Sequence, residues 1–362
     1  MAIHNKKISF CITCMNRLYH LKQTLEKNIL DNYLLDEVEF VVLDYNSTDK
    51  LGDWIKGEMT HYIELDILVY YRTSNPEVYN RSHSRNMAYR LSRGELVCNL
   101  DADNFLGVGF AKKMLTNFQR NADSFYTSNL NIEDVFGKVV LTRSSFLKVK
   151  GYNEGLNGYG FEDVDFFSRL EGSGLTHNLF YEPEFHKYIS HSKYERVQNE
   201  KFFKNLEFIY ISYKTPYLSN VIIFYKNNTF KLIEFIDNPH LNRLNEKERS
   251  FLERFTDELT YVMINKPLIF GKWEVKDNRL FVQIEETEFE FTENAAFIKL
   301  NEEDFYKIDD EDLIIDILLT FSTSLNILEA KKILNDPYIN KRGFGTGQVF
   351  RNFDYSKMIE LN

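Results

Sequence analysis

The chain has 362 residues and a formal net charge of −10. Hydrophobic residues make up 43% of it and aromatic residues 15%. That much apolar material supplies core for two domains and excludes a disordered chain. An acidic balance without a basic face excludes a general nucleic-acid binder.

In chain order, the first 150 residues alternate short β-rich runs with helical stretches. Ile8–Thr13 reads as a first strand, and Leu18, Leu21, Leu25 and Ile29 follow it at helical spacing. Val38–Leu43 is a second strand ending at Asp44, with turn residues 46–49 behind it. A third strand covers 67–71, a helix 84–91 and a fourth strand 96–100. This alternation predicts an α/β fold with a mostly parallel sheet and helices on both faces. Such sheets bind ligands beyond the carboxyl ends of their strands, where Thr13, Asp44 and Asp101 all fall. Cys11 and Cys14 form a Cys-x-x-Cys spacing without a second pair, and with Cys98 they read as reduced core thiols.

Asp101-Ala102-Asp103 ends the apolar run 96–100 with two carboxylates on the same side of an extended segment. Such oxygen ligands can hold a divalent cation, and that cation can hold a diphosphate. Further on, a Gly-rich stretch at 151–160 precedes a helix opening at Glu162. Acidic residues there are at least partly accounted for by the helix dipole. Gly155, Gly158 and Gly160 suggest a loop able to close over a ligand. Beyond residue 213 hairpins are expected over 221–236 and 272–284, with a helix over 246–263. The chain thus divides into 1–212 and an α+β C-terminal appendage, 213–362. Gly343-Phe344-Gly345-Thr346-Gly347 lacks a Lys and a following helix, against a phosphate loop. The apolar stretches around Asp316 read as too short to cross a bilayer, and residues 1–7 carry no leader-like run. These features suit a cytoplasmic protein, with peripheral contact at the inner face of a membrane as the variant reading.

Five blocks in order resemble the β-1,4-galactosyltransferase family of inverting GT-A glycosyltransferases, within the wider family 2 group. They are Asn16-Arg17-Leu18-Tyr19-His20-Leu21; Tyr79-Asn80-Arg81 with Arg85-Asn86; Asp101-Ala102-Asp103; Gly158-Tyr159-Gly160-Phe161-Glu162-Asp163; and Ile189-Ser190-His191. The resemblance covers roughly residues 7 to 205. It implies a GT-A sheet and transfer of a hexose, such as galactose or N-acetylgalactosamine, from a UDP-sugar to a hydroxyl of a glycan or glycoconjugate. It implies Asp103 and His191 as ligands of Mn²⁺, with Mg²⁺ as the alternative. Asp163 is implied as the base and Glu162 as the group orienting the acceptor. Thr13, Asn16, Arg17, Asp44, Arg85, Asp101, Tyr159 and Gly160 are implied around the sugar nucleotide, Arg17 and Arg85 on its diphosphate and Asp44 on uracil or ribose. Tyr159 stands where that family has Trp, and Cys14 and Met15 stand where it has basic and aromatic residues. The competing readings are a retaining N-acetylgalactosaminyl-type transferase and a silent nucleotide-sugar-binding module. A nucleotidyltransferase would need a Gly-rich loop that Thr13-Cys14-Met15-Asn16-Arg17 is not. The appendage, matching no named family, is left for acceptor recognition or oligomerisation.

Overall fold

The computed structural model describes residues 6–33, 37–128, 133–215, 218–236, 264, 268–333 and 339–362. Strands β1 (Ile8–Cys14), β2 (Val38–Tyr45) and β4 (Leu96–Asn99) are buried at every residue, and β3 (Leu68–Thr73) at all but one. Burial on both faces explains their unbroken apolar sequences. They pair in parallel in the order β3-β2-β1-β4. The boundaries depart from the sequence-based ones by one or two residues, where strand ends fray into turns.

Alternate strand residues feed two cores. Phe10, Ile12, Phe40 and Val42 pack with helices α1 (Leu18–Asn32), α2 (Leu51–Glu58) and α3 (Thr60–Glu64). Cys11, Val41, Leu43 and Val97 pack on the other face with Met87 and Ala88 of α4 (Arg81–Leu91). Helix α5 (Phe110–Arg120) joins the first core. Strands β5 (Ser124–Thr127) and β6 (Val139–Thr142), helices α6 (Arg143–Lys148) and α7 (Glu162–Gly172), and β7 (Thr176–Leu179) extend this layer. Strand β6 runs antiparallel to β4, so the parallel character is confined to the sheet's centre and the β5–β7 pair. Cys11, Cys14 and Cys98 are buried free thiols, as core packing requires. Burial pushes the thiols of Cys11 and Cys14 well up, away from reactive thiolate.

The second unit comprises residues 157–160 and 192–332. It opens with helices α8 (Lys193–Val197) and α9 (Lys201–Lys204). Its sheet contains β8 (Leu206–Tyr213), β9 (Ser219–Tyr225), β10 (Thr229–Phe235), β11 (Ile269–Lys276), β12 (Arg279–Ile284), β13 (Thr287–Thr292), β14 (Phe297–Leu300) and β15 (Glu303–Ile308). The strand order is β13-β12-β11-β10-β9-β8-β15-β14. Both expected hairpins are present, while the helix expected over 246–263 lies outside the described residues. One face of the sheet packs Ile209, Val221 and Ile223 with Ile317, Leu318 and Phe321 of α10 (Glu311–Ile333). By length and composition α10 could cross a bilayer, contrary to the expectation from its Asp316. Half of its most apolar window is nevertheless buried inside the protein.

The last elements, β16 (Gly347–Arg351) and β17 (Asp354–Leu361), return to the first sheet. Strand β16 pairs antiparallel with β3, giving the order β17-β16-β3-β2-β1-β4-β6-β5-β7. The first unit is therefore residues 1–156, 161–191 and 333–362, a different division from the one expected at residue 212. A boundary drawn from composition cannot register a chain that leaves a sheet and comes back to it.

Candidate active site

The strand order reverses direction between β1 and β4, the crevice where open α/β sheets hold ligands. Residues 13–17 leave the carboxyl end of β1 there, and residues 100–104 leave that of β4. Asn16 adopts a left-handed conformation with φ 58°, which Asn tolerates better than most residues. Its N–H donates to Ser47 Oγ at 3.0 Å, and its Oδ1 accepts from the Thr48 N–H at 2.7 Å. The Leu18 N–H, at the start of α1, donates to Asp49 Oδ2 at 2.8 Å. These bonds stitch the loop carrying Arg17 to the turn after β2.

Asp44, implied on uracil or ribose, is tied into the protein. It is completely buried, and its carboxylate is held by the Ser47 N–H at 2.7 Å, the Tyr70 hydroxyl at 2.6 Å and Arg72 Nη1 at 2.8 Å. Burial pushes its carboxyl up while these bonds draw it down. Asp44 braces the turn that positions Asn16. Thr13 is joined through its Oγ1 to the Tyr79 hydroxyl at 2.7 Å, which ties the β1 end to the segment leading into α4.

Arg85, on the buried face of α4, gathers the carboxylates. Its Nη1 donates to Asp163 Oδ1 at 2.8 Å and lies 3.8 Å from Glu162 Oε1. Its Nη2 lies 3.4 Å from Asp101 Oδ1, which also accepts from Asn99 Nδ2 at 3.1 Å. The convergence needs Gly137. A Cβ there would sit 2.9 Å from Arg85 Nη2, 3.1 Å from Asp163 Oδ2 and 3.4 Å from Asp101 Oδ2. One guanidinium thus faces three carboxylates. Burial pushes Asp163 up to about 7; Arg85 opposes this, and Glu162 and Asp101 reinforce it. Glu162 Oε2 is buried with no hydrogen-bond partner, which leaves an acceptor in the site. Asp165 is different: Arg169 Nη2 holds it at 2.7 Å, so only this carboxylate fits the plain reading of helix-start charge.

Asp103 and His191 do meet. His191 Nε2 lies 2.8 Å from Asp103 Oδ2, and Asn104 Nδ2 donates to Asp103 Oδ1 at 2.7 Å. The Ile189 N–H donates to the Asp103 carbonyl at 2.8 Å, fixing the segment that carries His191. The His20 ring meets the His191 ring edge-on at 5.7 Å. Burial would raise Asp103, but the His191 hydrogen bond and charge, with Asn104 and Arg17, hold it below the usual carboxylate range. The donor set fits a divalent cation. An octahedral ion with bonds of about 2.1 Å places adjacent ligands about 3 Å apart, close to the separation seen here. Among the described residues no group of three or more His, Cys, Asp or Glu side chains is placed to hold a metal ion.

Tyr159 and Gly160 belong to the second unit. Arg196 Nη1 donates to the Tyr159 hydroxyl at 2.7 Å, and its guanidinium lies 5.3 Å from the ring centroid. One face of the ring expected to stack on sugar is thereby shared with Arg196. The loop expected to move is anchored from α10. Asn326 accepts from the Asn157 N–H at 2.9 Å and donates to the Gly160 carbonyl at 2.7 Å, while Ser322 Oγ accepts from the Tyr159 N–H at 2.8 Å.

Lys138 was missed from the sequence. It is wholly buried beside β6, donates to the carbonyls of Phe105 and Phe185 at 2.8 and 2.7 Å, and is pushed down by burial to about 8. Its signal was present: a lone cation abutting the apolar run 139–141 has to be paired. Gly137, Asn99 and Asn104 carried no comparable signal.

Residues 9–173 match the family described as Glycosyl transferase family 2. The chain is 28% identical over 99 residues to "Probable glycosyltransferase YdaM" of Bacillus subtilis (strain 168), a stretch covering 27% of this chain and 23% of that relative. Among solved structures, S. aureus TarS 1-349 is similar at 15% identity and TM-score 0.42, covering 52% of this chain and 61% of that one. TarS 1-349 in complex with UDP is similar at 16% identity and TM-score 0.38, over 44% of this chain and 53% of that one. The family match is broad and does not select the β-1,4-galactosyltransferases. What these comparisons give is a glycosyl transferase family 2 match over residues 9–173, and the chain spans about a quarter of the length of the curated relative it matches.

Proposed function

We propose that the protein is a metal-dependent inverting glycosyltransferase that moves a hexose from a UDP-sugar to a hydroxyl of a glycan or glycoconjugate. One observation carries the reading: Arg85 joins Asp101, at the strand-end carboxylate pair, to Asp163, at the start of α7. A donor-side group and an acceptor-side group are thereby held at one rim. Galactose or N-acetylgalactosamine as the sugar, and UDP as its carrier, rest on the order of the sequence blocks.

In this reading Asp103 and His191 hold the cation, and their oxygen and nitrogen donors suit Mn²⁺ or Mg²⁺. When bound, that ion supplies charge stabilisation for the departing diphosphate. Arg17 and Arg85 bind phosphate oxygens through charge-assisted hydrogen bonds. Asp163 takes the proton of the acceptor hydroxyl as that oxygen attacks the anomeric carbon. A base near neutrality suits the task, since it is substantially ionised at working pH and still basic enough to accept the proton. The unpartnered Glu162 Oε2 accepts a hydrogen bond from a second acceptor hydroxyl.

The test is UDP release across a panel of UDP-sugars, with and without Mn²⁺, and the anomeric configuration of the product by NMR. Release dependent on Mn²⁺, with inversion, is expected. Asp103→Ala should weaken metal-dependent UDP binding at least tenfold, while Asp163→Asn should bind UDP normally and transfer at least a hundredfold more slowly. Retention of configuration, or full transfer by Asp163→Asn, overturns the assignment.

A further inference from the structure

The second unit contains a cavity of about 350 Å³ that the transfer reaction leaves unused. Trp273 and Val275 of β11, Leu280 of β12, and Phe208 and Lys307 of β8 and β15 line it together. Strands β11 and β15 stand four positions apart in the sheet order. A flat sheet would separate them by about 19 Å, so the sheet curls and the cavity lies in the opening between its arms. Mouths of rolled sheets are frequent ligand sites, and the volume falls at the lower end of the range for small ligands.

Its lining is built rather than incidental. Trp273 Nε1 donates to the carbonyls of Tyr225 and Thr229 at 3.0 and 3.1 Å, fixing the indole, and Phe208 meets that ring edge-on at 5.1 Å. A register shift between Leu206 and Phe208 makes Glu207 the extra residue of a β-bulge. In a regular strand consecutive side chains face opposite ways, yet Glu207 and Phe208 both line the cavity. Bulges re-aim side chains in this manner. Glu293 and Asn294 close the opposite rim, with Lys307 Nζ 3.5 Å from Asn294 Oδ1.

We infer that this cavity binds a pyranose residue of a glycan, separately from the transferase site. An aromatic wall suits the C–H face of a sugar ring. Carboxylates accept, an ammonium donates, and an amide does both. That mixture matches hydroxyls, which are donors and acceptors at once. Two carboxylates repel a phosphate, and a polar rim with three charges disfavours a lipid tail. That the ligand is a glycan, rather than another polyol, rests on the transferase reading.

The two tryptophans of the sequence make the test direct. In the full chain carrying Trp54→Phe, Trp273 is the sole indole reporter. Its emission is titrated with chitotetraose, cellotetraose, lactose and inorganic phosphate. A saturable shift with at least one saccharide and none with phosphate is expected. Glu293→Gln, at the rim, should raise that dissociation constant at least fivefold with UDP release unchanged, and Lys307→Ala should weaken binding in the same direction. No saturable response to any saccharide, a response to phosphate, or unaltered binding in both variants overturns the site. A saccharide response without UDP release removes the transferase reading and leaves binding at Trp273 established. UDP release without a saccharide response removes this site alone.

Discussion

At the scale of single residues, the burial of Asp163 works against stability. Its folded carboxyl titrates at about 7, raised from the ordinary 3.8. Across that interval the native state holds a proton that the unfolded chain has released, so stability declines as pH rises. Asp163→Asn should therefore raise Tm at pH 8, leave it nearly unchanged at pH 3.5, and abolish transfer; calorimetry at the two pH values checks this. With Asp163 as the proposed base, the acidic limb of transfer is expected near pH 7, with activity increasing as pH rises through it. Arg85 lowers Asp163, so Arg85→Gln should move that limb to higher pH in addition to weakening UDP binding. The pairing of Asp103 with His191 was legible because both residue types stood in recognisable blocks. The burial of Asp44 was not, since a carboxylate at a strand end looks the same whether it faces solvent or braces a turn.

Among elements, β1 to β4 were readable because a strand buried on both faces must be apolar throughout. The anchoring of loop 157–160 was not legible because its partners lie more than 160 residues away, on α10. That helix interrupts its apolar face with Ser322, Ser324 and Asn326, all buried. Buried polar side chains of this kind exist to satisfy backbone groups, and two of the three do so for the loop. Asn326→Leu would orphan the Asn157 N–H and the Gly160 carbonyl. A loss of about 1–3 kcal/mol is expected for each buried group left unsatisfied. Denaturant unfolding should register the lower stability, and amide exchange at Tyr159 should accelerate if the anchoring is as described.

For the molecule as a whole, the strand pair β16–β17 was not foreseen, because a Gly-rich segment gives little periodicity to read. Asn352 exchanges two hydrogen bonds with Tyr70, Oδ1 accepting at 2.9 Å and the N–H donating at 2.8 Å, and Phe353 stacks on the Tyr70 ring at 4.6 Å. Arg90 donates to the Phe344 carbonyl at 2.6 Å. A chain ended at Ile333 would leave β3 as a bare edge, prone to pairing with other chains. It should be recovered mainly as aggregate, or with a markedly lower Tm and weaker UDP binding; an unchanged Tm would show the pair to be dispensable. There is also a consequence for biosynthesis. At ordinary elongation speeds, about 10–30 s separate the emergence of His191 from that of β16. Throughout that delay the nascent sheet has an open flank, so a ribosome stalled within residues 192–332 releases a polypeptide that carries Asp103 and His191 on an incomplete sheet.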